Sequence, residues 1–284
     1  MKLNKILVEE KLKQFLEEDC HFKDVSSEFI PEDEIVSARI IAKSEGYISG
    51  LEVIKILFDM LEVNIELKKR DGKKIKKGDI IAILKGNARN ILLGERIGLN
   101  LITLMSSITS TTQKYNEIIK KSGKKVKIAC TRKTSPGLRV FEKLAVELGD
   151  GDTHRYSLDD MILLKDNHIE YYEGDIQKLI RDVKKKASFS KKIEIELEKV
   201  DDVVLAAKEG VDIIMLDNMS PEEIKKSIDL LQQHQLRERV IVEVSGGITM
   251  ENISNYLIAE PDIISTSELT LLPTVKVDLS LELF

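Results

Sequence analysis

The chain has 284 residues, 42% hydrophobic and 33% charged, with 15 Gly and 5 Pro. That is enough apolar material for a sizeable core, and too little Gly and Pro for a disordered or fibrous chain; at about 150 residues per domain it predicts two domains, or one barrel-sized unit with an addition. The 44 basic side chains against 49 acidic ones leave a net charge of -5, which argues against a nucleic-acid or anionic-membrane binder but leaves room for a small anionic ligand held by a local basic cluster.

Residues 1–19 carry Leu3, Ile6, Leu7, Leu12, Phe15 and Leu16 at helical spacing. Glu9 and Glu10 interrupt any apolar signal core, and no apolar run nears the ~18 residues of a membrane span, so the expected location is the cytoplasm. Ile35, Val36, Ile40 and Ile41 predict strand, 51–61 helix, and Val63, Ile65 and Leu67 a further strand. Asp71-Gly72 predicts a hairpin turn, and Lys77-Gly78 and Lys85-Gly86 bracket the strand Ile80–Leu84. One long helix is expected from about Asn90 to Lys121, closed by Gly123. Short β-rich runs then recur with helices between them: VKIAC, MILL, KIEIELE, DIIML, VIVEV and DIIS. Ser220, Pro221 and Glu223 signal a capped helix start. Alternating strands and helices predict parallel βα units. No Gly-x-Gly-x-x-Gly follows any strand, so a complete or partial α/β barrel is preferred to a dinucleotide-binding sheet.

In such a barrel chemistry sits at the C-terminal strand ends. There the sequence places Thr131-Arg132-Lys133-Thr134, Lys165-Asp166-Asn167-His168, Glu196, Asp217-Asn218, Ser245-Gly246-Gly247 and Thr266-Ser267. Arg132, Lys133, Arg139, His154, Arg155 and Lys165 form a cation group suited to an anion bearing several carboxylates or phosphates, because Arg grips such groups in a forked, bidentate way. Ser245-Gly246-Gly247 fits a phosphate turn, with the dipole of the following helix behind it. Glu196 and Asp217 suit sugar hydroxyls, Mg²⁺ or a developing cation, and equally suit service as partners of nearby Lys and Arg. His154 and His168 lack further ligands at zinc spacing. Cys130 is expected in the core and Cys20 leaves no disulfide framework. The basic runs at 120–125 and 184–186 sit at helix ends, where Lys favours the dipole, and lack interleaved aromatics.

Gly94-Glu95-Arg96 with Asn100, Thr131-Arg132-Lys133-Thr134 with Pro136-Gly137-Leu138-Arg139, His154-Arg155, Lys165-Asp166-Asn167-His168, Leu216-Asp217-Asn218, Ser245-Gly246-Gly247 and Asp278-Leu279-Ser280-Leu281 occur in order from about residue 30 to the C-terminus. With these the chain resembles the quinolinate phosphoribosyltransferases, also called carboxylating nicotinate-nucleotide pyrophosphorylases. The resemblance implies an N-terminal α/β sandwich domain (1–106, with the tail 274–284 returning to it) and an incomplete parallel α/β barrel (107–273). It implies a homodimer, or a higher oligomer, with Arg96 reaching the other subunit's site. It implies that quinolinate and 5-phosphoribosyl 1-pyrophosphate react with Mg²⁺ to give nicotinate mononucleotide, pyrophosphate and CO₂, without an organic cofactor. Arg132, His154, Arg155 and Lys165 would hold quinolinate, with Arg139 at the same rim, and Lys133 and Lys165 would also face pyrophosphate. Glu196 and Asp217 would hold ribose hydroxyls, directly or through Mg²⁺. Ser245, Gly246 and Gly247, with Thr266 and Ser267, would hold the 5′-phosphate.

Three stretches depart from the family pattern: His21–Ser26, Gly149–Thr153 and Ser265–Glu268. A carboxylate pointing into a phosphate site would repel its ligand, so Glu268 is expected to point away. The Thr-Ser loop also occurs in molybdenum-transport-associated paralogues, but those tend to lose the Lys-Asp-Asn-His run present here. A paralogue acting on another acceptor, or a non-catalytic phosphometabolite-binding barrel, are the competing readings.

Overall fold

The computed structural model describes residues 4–284; Leu3, counted above in the first helix, lies outside them. In chain order the elements are α1 (Lys5–Asp19), β1 (Ile35–Ala42), β2 (Gly46–Ile48), α2 (Leu51–Met60), β3 (Asn64–Leu67), β4 (Lys73–Ile75), β5 (Ile80–Asn87), α3 (Ala88–Ser122), β6 (Lys127–Cys130), α4 (Arg139–Leu148), β7 (Ile162–Leu164), α5 (Asp166–Tyr171), α6 (Ile176–Lys186), β8 (Ile193–Leu197), α7 (Val200–Glu209), β9 (Ile213–Asp217), α8 (Pro221–Gln233), β10 (Ile241–Ser245), α9 (Ile253–Leu257), β11 (Ile263–Thr266) and β12 (Leu279–Leu283). Contacts divide the chain into two units. The first runs to Gln113 and includes Thr134–Asp150 and Leu269–Phe284; the second comprises Lys114–Lys133 and Gly151–Glu268.

The first unit is built on a four-stranded sheet in the order β12-β1-β5-β3, antiparallel throughout. Alternation along β1 buries Ala38, Ile40 and Ala42, which share one core with Leu51, Ile54 and Phe58 of α2 and with Ile81 and Leu84 of β5. Helices α2 and α3 approach closely at Gly94. A Cβ there would lie 2.7 Å from Leu61 Cδ1 and 2.8 Å from Phe58 Cε1, so this glycine of the Gly-Glu-Arg run is a packing residue.

Asp71-Gly72 does not close a hairpin between β3 and β4, because β4 pairs with β2. Instead Asp71 Oδ1 accepts the Leu51 N–H at 2.9 Å and so caps α2, whose N-cap residue is the side-chain-less Gly50. An 18-residue window of α3 is long and apolar enough to cross a membrane, yet 61% of that window is buried within the protein. Interspersed Ser and Thr hid this from a search for apolar runs. They also explain the helix: Ser106, Ser107, Ser110 and Thr111 accept the backbone N–H groups of Ser49, Val277, Tyr47 and Val275, as a core helix among polar backbone requires.

The second unit holds a six-stranded sheet in the order β6-β11-β10-β9-β8-β7. All its pairings are parallel, with β6 and β7 as its edges. This is the incomplete α/β barrel expected from the alternating pattern. Ile193, Ile195 and Leu197 of β8 are buried on one face while Glu194 and Glu196 share the other. The start of α8 is a capping box: Ser220 Oγ accepts the Glu223 N–H at 3.3 Å and Glu223 Oε2 accepts the Ser220 N–H at 2.8 Å.

Candidate active site

A cavity of about 250 Å³ opens at the C-terminal strand ends of the second unit. Thr131, Arg132 and Lys133 follow β6; Lys165 follows β7; Glu196, Asp217 and Ser245 lie at the ends of β8, β9 and β10; Ser265 lies on β11. His154, Arg155 and Glu243 complete the polar lining. Arg96 and Arg139, expected with this group, belong to the first unit and do not line the cavity. The Arg139 Nε donates to Thr134 Oγ1 at 3.0 Å. Arg96 and Asn100 stand exposed one turn apart on α3.

Cations and carboxylates divide the cavity between them. Burial, then the charge of Arg132, lower the pKa of Arg155; with both residues lining the one cavity, it offers a ready site for an anion. Beside them Lys165 Nζ lies 2.6 Å from Glu196 Oε2. Burial, then the charge of Glu196, raise the carboxyl of Asp217, while Lys165 and Lys133 act in the opposite direction. The Lys-Asp-Asn-His run earns its form locally. His168 Nδ1 accepts the Lys165 backbone N–H at 3.0 Å, so this histidine caps α5 at Lys165, and it does not line the cavity.

His154 lines the same cavity. Its φ is 51°, its N–H donates to Asp152 Oδ1 at 2.8 Å, and its Nδ1 accepts the Arg155 N–H at 2.7 Å. Nε2 lies 3.2 Å from Glu243 Oε2 and 3.5 Å from Glu194 Oε2. Both glutamates are almost fully buried, and no other donor among the described residues hydrogen bonds to their carboxylate oxygens. Nδ1 is thus engaged by the backbone while Nε2 stands against two buried carboxylates, and His154 forms part of the cavity wall.

Burial opposes a charge on the imidazole, but the hydrogen bonds and charges of Glu194 and Glu243 outweigh it and raise its pKa to about 10. Burial likewise raises the carboxyl of Glu194. The cluster thus holds an extra proton as a unit. Because Nδ1 accepts an N–H, the ring proton that faces the two carboxylates lies on Nε2. The same tautomer bears on metal binding. His154, Glu194 and Glu243 offer atoms within 4.8 Å of one another, so a metal ion there would have to displace the Nε2 proton.

The Ser245-Gly246-Gly247 turn has left-handed backbone at both glycines, with φ of 92° and 61°. A Cβ on Gly246 would lie 2.3 Å from Asn218 Oδ1 and 2.6 Å from its backbone N, whereas Gly247 faces open space. Gly246→Ala is therefore expected to cost about 1–3 kcal/mol from strain at φ and more from the clash, and Gly247→Ala only the former. Urea denaturation of the two variants checks the difference, and equal losses would contradict it. The helix dipole expected behind this turn is slight, because α9 has only five residues. Asn252 instead ties the turn, donating to Gly247 O and accepting the Thr249 N–H. Thr266 also departs from its expected role. Its hydroxyl donates to Ile248 O at 2.7 Å, so it shapes the loop from behind, and neither it nor Ser267 lines the cavity, where Ser265 does.

Glu194 and Glu243 were absent from the expected site. Their signal was available: each is a carboxylate alternating with aliphatic residues inside a mostly buried strand, IEIEL and IVEVS.

Two family models cover most of the chain: the quinolinate phosphoribosyl transferase N-terminal domain over residues 24–106 and its C-terminal domain over 108–282. An Archaeoglobus fulgidus protein named "Probable nicotinate-nucleotide pyrophosphorylase (carboxylating)" is 45% identical over 83% of this chain and 90% of its own. The nicotinate-nucleotide pyrophosphorylase (carboxylating) of Dictyostelium discoideum is 35% identical over 99% of this chain and 97% of its own. Among solved structures, NadC from Streptococcus pyogenes superposes with a TM-score of 0.90 at 35% identity, covering 100% of this chain and 99% of that one.

Proposed function

The chain belongs to the quinolinate phosphoribosyltransferase family, and from that premise we propose that the strand-end cavity of the second unit is where its reaction takes place. The enzyme is a pentosyltransferase of NAD biosynthesis. It transfers the phosphoribosyl group of 5-phosphoribosyl 1-pyrophosphate to quinolinate, releasing pyrophosphate and CO₂ and forming nicotinate mononucleotide. The observation that carries the assignment to this cavity is the Arg132–Arg155 pair beside the linked Lys165, Glu196 and Asp217 in one small space.

In this reading Arg132 and Arg155 grip the two carboxylates of quinolinate and turn the ring nitrogen toward C1 of the ribose. Glu196 and Asp217 hold the ribose hydroxyls and stabilise the positive charge that grows on the sugar as the C1–O bond to pyrophosphate breaks. Lys165, poised against Glu196, and Lys133 face the departing pyrophosphate. The Ser245–Gly247 turn receives the 5′-phosphate on its backbone N–H groups. Once the ring nitrogen bonds to C1 it is cationic; the electron pair freed by loss of CO₂ from the adjacent carbon is stabilised by that charge and then takes up a proton from water, giving nicotinate mononucleotide. The protein's share in the loss of CO₂ is to position the carboxylate and keep water from it.

Two neighbouring carboxylates among lysines fit a Mg²⁺ ion that keeps several waters and arrives with phosphates. Asp217 and Glu196 would hold it, and it would supply charge neutralisation at the pyrophosphate. Arg96, exposed on the first unit, is taken as the contribution of a second copy in a homodimer, and the cytoplasm as the place of action.

The test is turnover of purified protein with quinolinate, 5-phosphoribosyl 1-pyrophosphate and Mg²⁺, following CO₂ and nicotinate mononucleotide, with nicotinate as control acceptor. Release of CO₂ with quinolinate and no product with nicotinate is expected. Product from nicotinate alone would overturn the acceptor assignment.

A further inference from the structure

Glu268 adds a carboxylate beside a loop meant for an anion, and the structure gives it a specific occupation. Its Oε2 accepts the Met250 N–H at 2.9 Å and the hydroxyl hydrogen bond of Tyr115. Its own N–H donates to Thr266 Oγ1 at 3.1 Å, and that hydroxyl donates to Ile248 O. Tyr115 lies on α3 and is fully buried. Burial, then the hydrogen bond to Glu268, raise its phenol well above the ordinary range, so it remains a donor. The segment that follows β10 is thus fastened at two successive points, Ile248 through its carbonyl and Met250 through its N–H. Both fastenings lie just past the left-handed glycines.

A Gly-Gly turn has much conformational freedom to lose when it closes on a ligand. Fixing its shape beforehand removes that cost from binding. The two donors on Oε2 also turn the carboxylate's charge to structural use. We propose that Glu268, seated on Tyr115, is a positioning residue that holds the Gly246–Gly247 turn in the shape that receives a phosphate ester. This rests on the reading that the turn takes the 5′-phosphate of the ribosyl donor.

The experiment compares parent, Glu268→Ala, Glu268→Gln and Tyr115→Phe by steady-state kinetics and by calorimetric binding of ribose 5-phosphate. Glu268→Ala should raise KM for 5-phosphoribosyl 1-pyrophosphate and weaken ribose 5-phosphate binding about tenfold, equivalent to about 1.4 kcal/mol, while KM for quinolinate changes less than about twofold. Glu268→Gln keeps an oxygen acceptor for the Met250 N–H and should recover most of the loss. Tyr115→Phe, the variant least disturbing to packing, should fall between. A lowered melting temperature with both KM values and ribose 5-phosphate affinity unchanged would overturn the proposal, as would a Gln variant no better than Ala. If the parent binds ribose 5-phosphate but does not turn over quinolinate, the reaction assignment fails, and the binding contrast among the variants still decides the role of Glu268.

Discussion

Lys165→Ala is expected to lower kcat/KM by about 10²–10³-fold, the usual loss when a charge facing a developing charge is removed from a catalytic site. The ammonium is in contact with Glu196 and acts on Asp217, so its removal leaves two neighbouring carboxylates with one fewer cation between them. The carboxyl of Asp217 is already raised, by burial first and by Glu196 second, with Lys165 holding it down. Without Lys165 it rises further, more of it is protonated at a given pH, and the acid limb of the pH–rate profile moves to higher pH. Because the Lys165 side chain is 43% exposed, the fold should survive, and a melting curve beside the kinetics would establish this. Full turnover, or an acid limb that stays in place, would remove Lys165 from the site.

His154→Ala should be the most damaging substitution to stability in the second unit. It leaves Glu194 and Glu243 in the interior without the Nε2 donor, and stranding a buried charge costs about 3–5 kcal/mol. The sign of the pH dependence follows from the raised carboxyl of Glu194. Where the folded-state pKa exceeds the unfolded one, the native state binds the extra proton. Stability is then full below the ordinary value of 4.5 and declines as pH rises through the folded-state value. Loss of the imidazole lifts the folded-state value further, so the variant should approach the parent near pH 5 and fall well below it at pH 8. Adding Glu194→Gln to His154→Ala removes one of the two buried carboxyl groups and should recover part of the loss at pH 8. Urea denaturation at the two pH values reads this directly, and an unperturbed His154→Ala at pH 8 would show that the cluster carries no such cost.

Much of the fold was legible because its signals are local. The capping box at Ser220 and Glu223, the alternation in β1 and β8 and the Gly123 stop after α3 depend on residues within a turn or two of one another. Asp71 was misread for the opposite reason. Asp-Gly is a turn signal, but the backbone N–H that Asp71 satisfies belongs to α2, and nothing near it in the chain announces that partner.

The same division runs through the site. The sequence by itself determined which residues stand at the strand ends, since the rhythm of the βα units sets where each strand stops, and the ordered motifs identified the family. Only the tertiary structure decided what those residues do to one another. It turned both nitrogens of His154 toward protein, set two unanticipated glutamates beneath it, sent Thr266 and Glu268 behind the Gly246–Gly247 turn, and grouped Arg132 with Arg155 against their own repulsion. The physical reason is that hydrogen bonds and charges act across space. Partners such as Glu194, Glu243 and His154 come from separate strands and loops, and their pairing exists only once the sheet has brought those strands together.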